Sequence, residues 1–170
     1  VIARYRAEHN AVTFDISRQH GEAAEAALAS LETDLALIFE PIRRSDFQTI
    51  ATTRQAVYCC MAETHELARL ETIRLHHLLD IQAILPTTQS GIRQLLNVGL
   101  MRRNIKLATM LETDSQEFTP NYLLNEQVVG FQIPIGLPQD MADGRPGKGL
   151  VARPIDSQDV SHGTLHIGHF

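Results

Sequence analysis

The residues best suited to chemistry lie between positions 63 and 80. Glu63, His65, Glu66, Glu71, His76, His77 and Asp80 combine carboxylates with imidazoles, the side chains of metal sites and acid–base pairs. On one helical stripe Glu63 and Glu66 align with His77 and Asp80. Positions 66 and 77, however, would be about 16 Å apart along the axis and cannot share an ion. His77 and Asp80 would form half a site, completed by another helix, for example through Glu8 or His9, and a metal reading takes His76, His77 and Asp80. Neither Glu-x-x-His, the pair used by two-metal carboxylate bundles, nor His-Glu-x-x-His occurs. Solvated charges and helical pairs such as Glu66 with Arg69 account for the cluster more simply.

Three other groups carry weaker signals. His162, His166 and His169 fall near the C-terminus, but Gly163 and Gly168 interrupt any helical face. They read as a polar terminus that gains charge below about pH 6.5. Gly144 to Gly149 invites a phosphate-loop reading. Ala142 and Gly149 then occupy two defining positions wrongly, and Pro146 removes a backbone donor, so the stretch reads as a loop. Cys59 and Cys60 are adjacent and are the only cysteines. An ordinary disulfide between them is unfavourable, and they read as small buried hydrophobes of a reducing, intracellular compartment. No catalytic triad signature is present, no catalytic residue is assigned, and no cofactor is called for.

The clearest charge feature is basic. Between Ile81 and Leu111 there is no Asp or Glu, while Arg93, Arg102, Arg103 and Lys106 contribute +4. The chain's net charge is −5, so the remainder carries −9. Arg102 and Lys106 share a helical face. Such a face meets phosphate, an anionic surface or an acidic patch, or pairs with acidic helices of the same chain. No aromatic residue interleaves it, which argues against single-strand stacking.

The elements that must position these groups fall into two regimes. Seven of ten Gly lie after residue 129 and five of seven Pro between 120 and 154. Residues 1–117 therefore read as helices, with Ile2, Tyr5, His9, Val12 and Ile16 on one face and Leu28, Leu31, Leu35 and Ile38 on the next. Pro41 ends that run. Ser45 to Gln48 matches a capping box, and no Gly or Pro follows until Pro86, which allows a helix of about 38 residues. A further helix is expected from about Thr88 to Glu112. Gly99 in its middle marks close approach of a neighbouring helix or partner. The expected fold is mainly α: a bundle of three to four amphipathic helices.

Residues 118–170 read as an extended, partly β arm. Short strands are expected around Phe131–Ile135, Leu150–Ile155 and Leu165–Ile167, with Pro134 restricting the first to an edge. Residues 136–149 read as a loop with a turn at Asp143-Gly144. The arm is apolar enough to bind but too broken to fold alone, with Tyr122, Leu124, Val129, Phe131, Ile133 and Ile135 as its expected contacts.

The functional reading is a structural or interaction subunit that self-assembles, or docks into a larger complex through this arm, with the 93–106 face toward an anionic partner. One alternative is a helical-bundle enzyme or metal binder using Glu66, His76, His77 and Asp80. Another is a coat-type subunit contacting nucleic-acid phosphates. Partners would be copies of the chain or other subunits. No apolar run reaches the roughly 20 residues needed to cross a bilayer. A start at Val1 implies a removed initiator Met or a trimmed piece.

Overall fold

The computed structural model describes residues 2–170 and shows two α/β lobes joined by two chain crossings. Lobe 1 holds α1 (Ile2–Glu8), α2 (Gly21–Ala29), β1 (Ala36–Phe39), β2 (Gln48–Gln55) and β8 (Gly163–His169). Its sheet is antiparallel in the order β1-β8-β2, so the last strand of the chain is the central one. Leu28 of α2 packs with Ala36 and Ile38 of β1 to cover one face.

Lobe 2 holds β3 (Tyr58–Ala62), β4 (Gln82–Leu85), α3 (Gly91–Arg103), β5 (Ala108–Glu112), α4 (Phe118–Asn125), β6 (Gly130–Gln132), α5 (Gln139–Ala142) and β7 (Leu150–Pro154). β3 lies antiparallel between β6 and β7, and β4 pairs parallel with β5. The two groups are joined at Val129. Its carbonyl accepts Ile84 N at 2.8 Å, and its own N–H donates to the Gln82 carbonyl at 3.0 Å. The result is one mixed layer, β5-β4-β6-β3-β7. α3 buries Leu96 and Leu100 against one face, and α4 buries Leu123 against the other group of core residues.

The chain passes between lobes at residues 55–58 and again at 154–163. Ile155 N donates to the Val57 carbonyl at 2.8 Å, which ties the crossings together. The return crossing is anchored by Asp159, whose side chain is 3% exposed. It accepts from Arg74 Nε (2.8 Å) and Leu75 N (2.9 Å) and pairs with Arg103 (2.7 Å).

This architecture overturns the helical bundle: 31% of the chain is helix and 27% strand. The 46–85 stretch, expected as one helix, forms β2, β3, two 3-10 turns and β4. Absence of Gly and Pro permits a helix but does not select one. Thr49, Ile50, Thr52, Thr53 and Val57 are β-branched and favour extended backbone. β3 is buried on both faces, so its YCCMA run carries no alternation to read. The 22–40 helix stops at Ala29, Leu31 adopts φ 60°, and β1 follows. α1 ends at Glu8, and residues 12–20 lack regular structure. The last expected helix is α3 followed by β5, with Asn104 closing α3 in the left-handed region.

In the C-terminal part, β6, β7 and β8 occupy the expected strand regions, and α5 interrupts the expected loop. These strands do not reach outward. β6 and β7 flank β3, and β8 completes the sheet of lobe 1.

Candidate functional site

The two lobes face each other across a cleft of about 610 Å³. Lobe 1 supplies residues 18–24 and 26, the end of β1 and Arg43. Lobe 2 supplies Ser90, Gly91 and Ile92 at the start of α3, with Asp114, Gln116, Gln132 and Gly136. The position follows from the topology. β4 runs straight into Pro86–Ser90 and then α3, so this loop lies at the carboxyl end of a parallel strand. Open α/β sheets bind ligands at such ends. Ser90 precedes α3 without a side-chain cap, leaving the first N–H groups of a 13-residue helix facing the cleft.

The charged groups are held from within their own lobes. Glu25 is buried and accepts from the backbone N–H of Arg43 (3.0 Å) and Arg44 (2.8 Å), which fixes the loop after Pro41 at the rim. The Arg43 guanidinium then pairs with Glu22. Asp114 accepts from Thr87 N at 3.1 Å and from the Thr87 hydroxyl. Its Oδ2 also lies 3.6 Å from Nε2 of His20 in lobe 1, a polar contact that crosses the cleft.

Two glycines set how closely the lobes approach. A Cβ on Gly91 would lie 2.1 Å from the Glu40 carbonyl oxygen of lobe 1. A Cβ on Gly163 would lie 2.2 Å from the Phe39 ring and 2.8 Å from Leu95 of α3. Phe39 therefore sits between lobes, close against the backbone of both glycines. Nearer the crossings, Ile135 N donates to Gln55 Oε1 at 3.2 Å.

The cleft continues into lobe 2. A second space of about 320 Å³ lies under α4 and α5, and Arg18, Ser90, Ile92, Asp114, Gln116, Gln132 and Gly136 line both spaces. Its inner wall is apolar: Cys60, Leu123, Phe131, Leu137, Met141 and Leu150. Cys59 and Cys60 point to opposite faces of β3, into separate core clusters. Burial pushes the Cys60 thiol up to about 12 and the Cys59 thiol well above its usual range. Cys59, on the face of β3 away from this space, should therefore resist an aromatic disulfide reagent at pH 8 and react fully in denaturant. Rapid labelling of Cys59 in the native chain would contradict this placement.

The residues singled out in the sequence lie mostly elsewhere. Arg93 contacts Glu112 (2.9 Å) and the Pro86 carbonyl (2.9 Å), and Arg103 contacts Asp159. Half of the basic face thus pairs with carboxylates of its own chain, while Arg102 and Lys106 are exposed. Val129, Phe131 and Ile133 are buried in this chain's own core. Tyr122 packs against it, and Leu124 and Ile135 are exposed. The rings of His76 and His77 meet edge to face with centroids 4.3 Å apart, and Nδ1 of His77 accepts from Arg74 N. Burial, His76 and Arg74 hold His77 below its ordinary pKa, consistent with a neutral acceptor. Asp80 lies with Glu66 in a separate depression. Among the described residues no three His, Cys, Asp or Glu side chains are placed to hold a metal ion.

The cleft residues Arg18, His20, Ser90, Asp114 and Gln132 were not singled out in the sequence. A usable signal was present: Thr87-Thr88-Gln89-Ser90-Gly91 is a polar, small-residue run between the apolar QAIL and a helix. Gly99, expected to admit a neighbouring helix or partner, instead lies against a loop of the same chain. A Cβ there would lie 2.3 Å from the Asp159 carbonyl oxygen.

A family model described as the LysR substrate binding domain matches residues 1–169. No curated protein matches the chain in sequence. Among solved structures, the effector-binding domain of QuiR in complex with shikimate is 16% identical, with a TM-score of 0.79, over 99% of this chain and 78% of that one. The regulatory domain of Synechocystis PCC6803 CcmR in complex with 2-PG is 15% identical, with a TM-score of 0.76, over 99% and 79%. The PA01 protein, a LysR-family regulator from Pseudomonas aeruginosa, is 17% identical, with a TM-score of 0.75, over 99% of this chain and 57% of that one. At these identities the likeness shows the fold. Among the described residues no helix is long and apolar enough to cross a membrane.

Proposed function

This chain belongs to the LysR substrate-binding domain family, and from that premise we propose that it is the effector-sensing part of a transcriptional regulator. The assembly-subunit reading is overturned by the family match and by the C-terminal strands folding into the chain's own sheets. The helical-bundle enzyme and coat alternatives lose their scaffold with the bundle.

The observation that carries the proposal is the 610 Å³ cleft between two lobes joined by two tied crossings. Its size lies within the range of small-molecule sites. A ligand touching Arg18 and His20 on one side and Ser90 and Gln132 on the other favours one angle between the lobes. It shifts that equilibrium only by its differential affinity for the two arrangements. In a complete regulator, the lobe angle would be read by a DNA-binding part and by further copies of the domain inside the cell. Because the chain spans 57% of the Pseudomonas relative, those partners belong to the whole protein.

A small organic anion suits the site. Arg18 and the unpartnered amides at the α3 N-terminus favour negative charge, and shikimate, bound by QuiR, is a carboxylate. The test is thermal denaturation of the chain against a panel of small organic acids that includes shikimate. A true ligand at 100 times its Kd should stabilise the fold by about 2.7 kcal/mol. Arg18→Ala should cut that gain for carboxylates by at least half. A panel that leaves the transition unmoved would count against the cleft as a ligand site.

A further inference from the structure

The apolar space in lobe 2 has no evident role in folding. It opens from the cleft between α4, α5 and β6, and seven residues line both spaces. It holds about 320 Å³ behind a polar rim. The inner wall of Leu123, Phe131, Met141 and Leu150 offers a ligand dispersion contact and no hydrogen-bonding partner apart from the Cys60 thiol, which is weak. The rim is different. Arg18 and Lys148 stand against one carboxylate, Asp114, whose two oxygens already accept from the N–H and hydroxyl of Thr87. The charges of these three residues sum to +1, and the start of α3 lies at the same opening.

We propose that the effector is amphipathic: a carboxylate held in the cleft near Arg18 and the α3 N-terminus, with an aliphatic or aromatic body inserted into the lobe 2 cavity. This rests on the cleft being the ligand site and adds the class of molecule it takes. A wholly polar acid would leave the cavity empty or filled with water lacking polar partners on its inner wall, which is unfavourable. An apolar body would displace that water and bury its own surface. The cavity lies beside the junction of β4, α3 and β6, so its occupation would also support the lobe 2 face of the cleft.

The test is isothermal titration of the chain with straight-chain carboxylates from acetate to octanoate, repeated with Thr119→Trp. Thr119 is half-buried at the rim, on α4, so a larger side chain there narrows the entrance without replacing a core residue. Affinity should rise about 3- to 4-fold for each added methylene that enters the cavity. Octanoate should weaken at least tenfold in Thr119→Trp while acetate and shikimate are unchanged. Affinity independent of chain length, or octanoate binding indifferent to Thr119→Trp, would overturn the amphipathic ligand. In that case, binding of short carboxylates sensitive to Arg18→Ala would leave the cleft reading standing. Binding of no acid in the series would overturn both.

Discussion

Replacing Asp159 by Ala is expected to destabilise the chain by about 3 kcal/mol, the largest single-residue effect outside the apolar cores. The carboxylate is nearly inaccessible, and its interactions come from three separated places. Arg74 and Leu75 open a 3-10 turn of lobe 2, Arg103 ends α3, and Asp159 itself lies on the crossing that returns to β8. Removing it leaves the Leu75 N–H buried without its acceptor, and two guanidinium groups lose their anion. Arg74 and Arg103 are about a third exposed and regain some water, which keeps the cost at the lower end for a buried pair.

The acid limb of the stability curve carries the same signature. Hydrogen bonding to Arg74 is the main cause holding the Asp159 carboxyl down to about 2, below the unfolded value near 3.8. A carboxyl lowered by folding contributes stability that is fully present above the unfolded value. The contribution shrinks as pH falls from about 4 and is gone below about 2. Its size is about 2 kcal/mol. Urea denaturation of Asp159→Asn at pH 7 and pH 3 should show a smaller loss at the lower pH. Equal losses would mean that the ion pairs do not carry the stabilisation.

Gly91→Ala is expected to weaken ligand binding at least tenfold while leaving the thermal transition of the unliganded chain within a few degrees. In isolation, Ala is a better helix residue than Gly, so α3 itself does not suffer. The Cβ would lie 2.1 Å from the Glu40 carbonyl oxygen, on backbone that cannot swing aside as a flexible side chain does. The relief available is a shift of about 1 Å between lobes at the mouth of the cleft, and that moves Arg18 and His20 away from Ser90 and Gln132. Two-lobed sites bind by closing, and a substitution that disfavours the closed arrangement lowers apparent affinity by the lost population. Unchanged affinity by titration would show that the lobes need not approach this closely.

How much of this was legible in the sequence depends on what fixes each element. α2, α3 and the C-terminal strands follow from local pattern: alanines for α2, a capping region after Pro86 for α3, alternation from Phe131 to Ile135 for β6, and short apolar pairs for β7 and β8. The rest of the lobe 2 sheet does not. β3 is buried on both faces and offers no period, and β4 is a four-residue apolar run that reads equally as helix. Treating 46–85 as one helix made the His and acidic residues look aligned on a stripe. In the fold only Glu66 and His77 of that stripe lie on 3-10 turns, one on each, and Glu63 and Asp80 fall in the turns beside them, so the stripe disappears. The basic window was legible as composition, but Arg93 and Arg103 find their carboxylates at positions 112 and 159, which no local spacing reveals. The cleft was the least legible feature. Its residues come from six stretches of chain between Arg18 and Leu165, and only the order of the strands brings them together.

The most direct measurement is a crystal structure of the chain grown with the organic acid that raises its melting temperature most. The expected result is the ligand in the cleft, its carboxylate between Arg18 and the first turn of α3, with Gln132 in contact. Ligand density on an outer face of either lobe, with the cleft holding only water, would contradict the account.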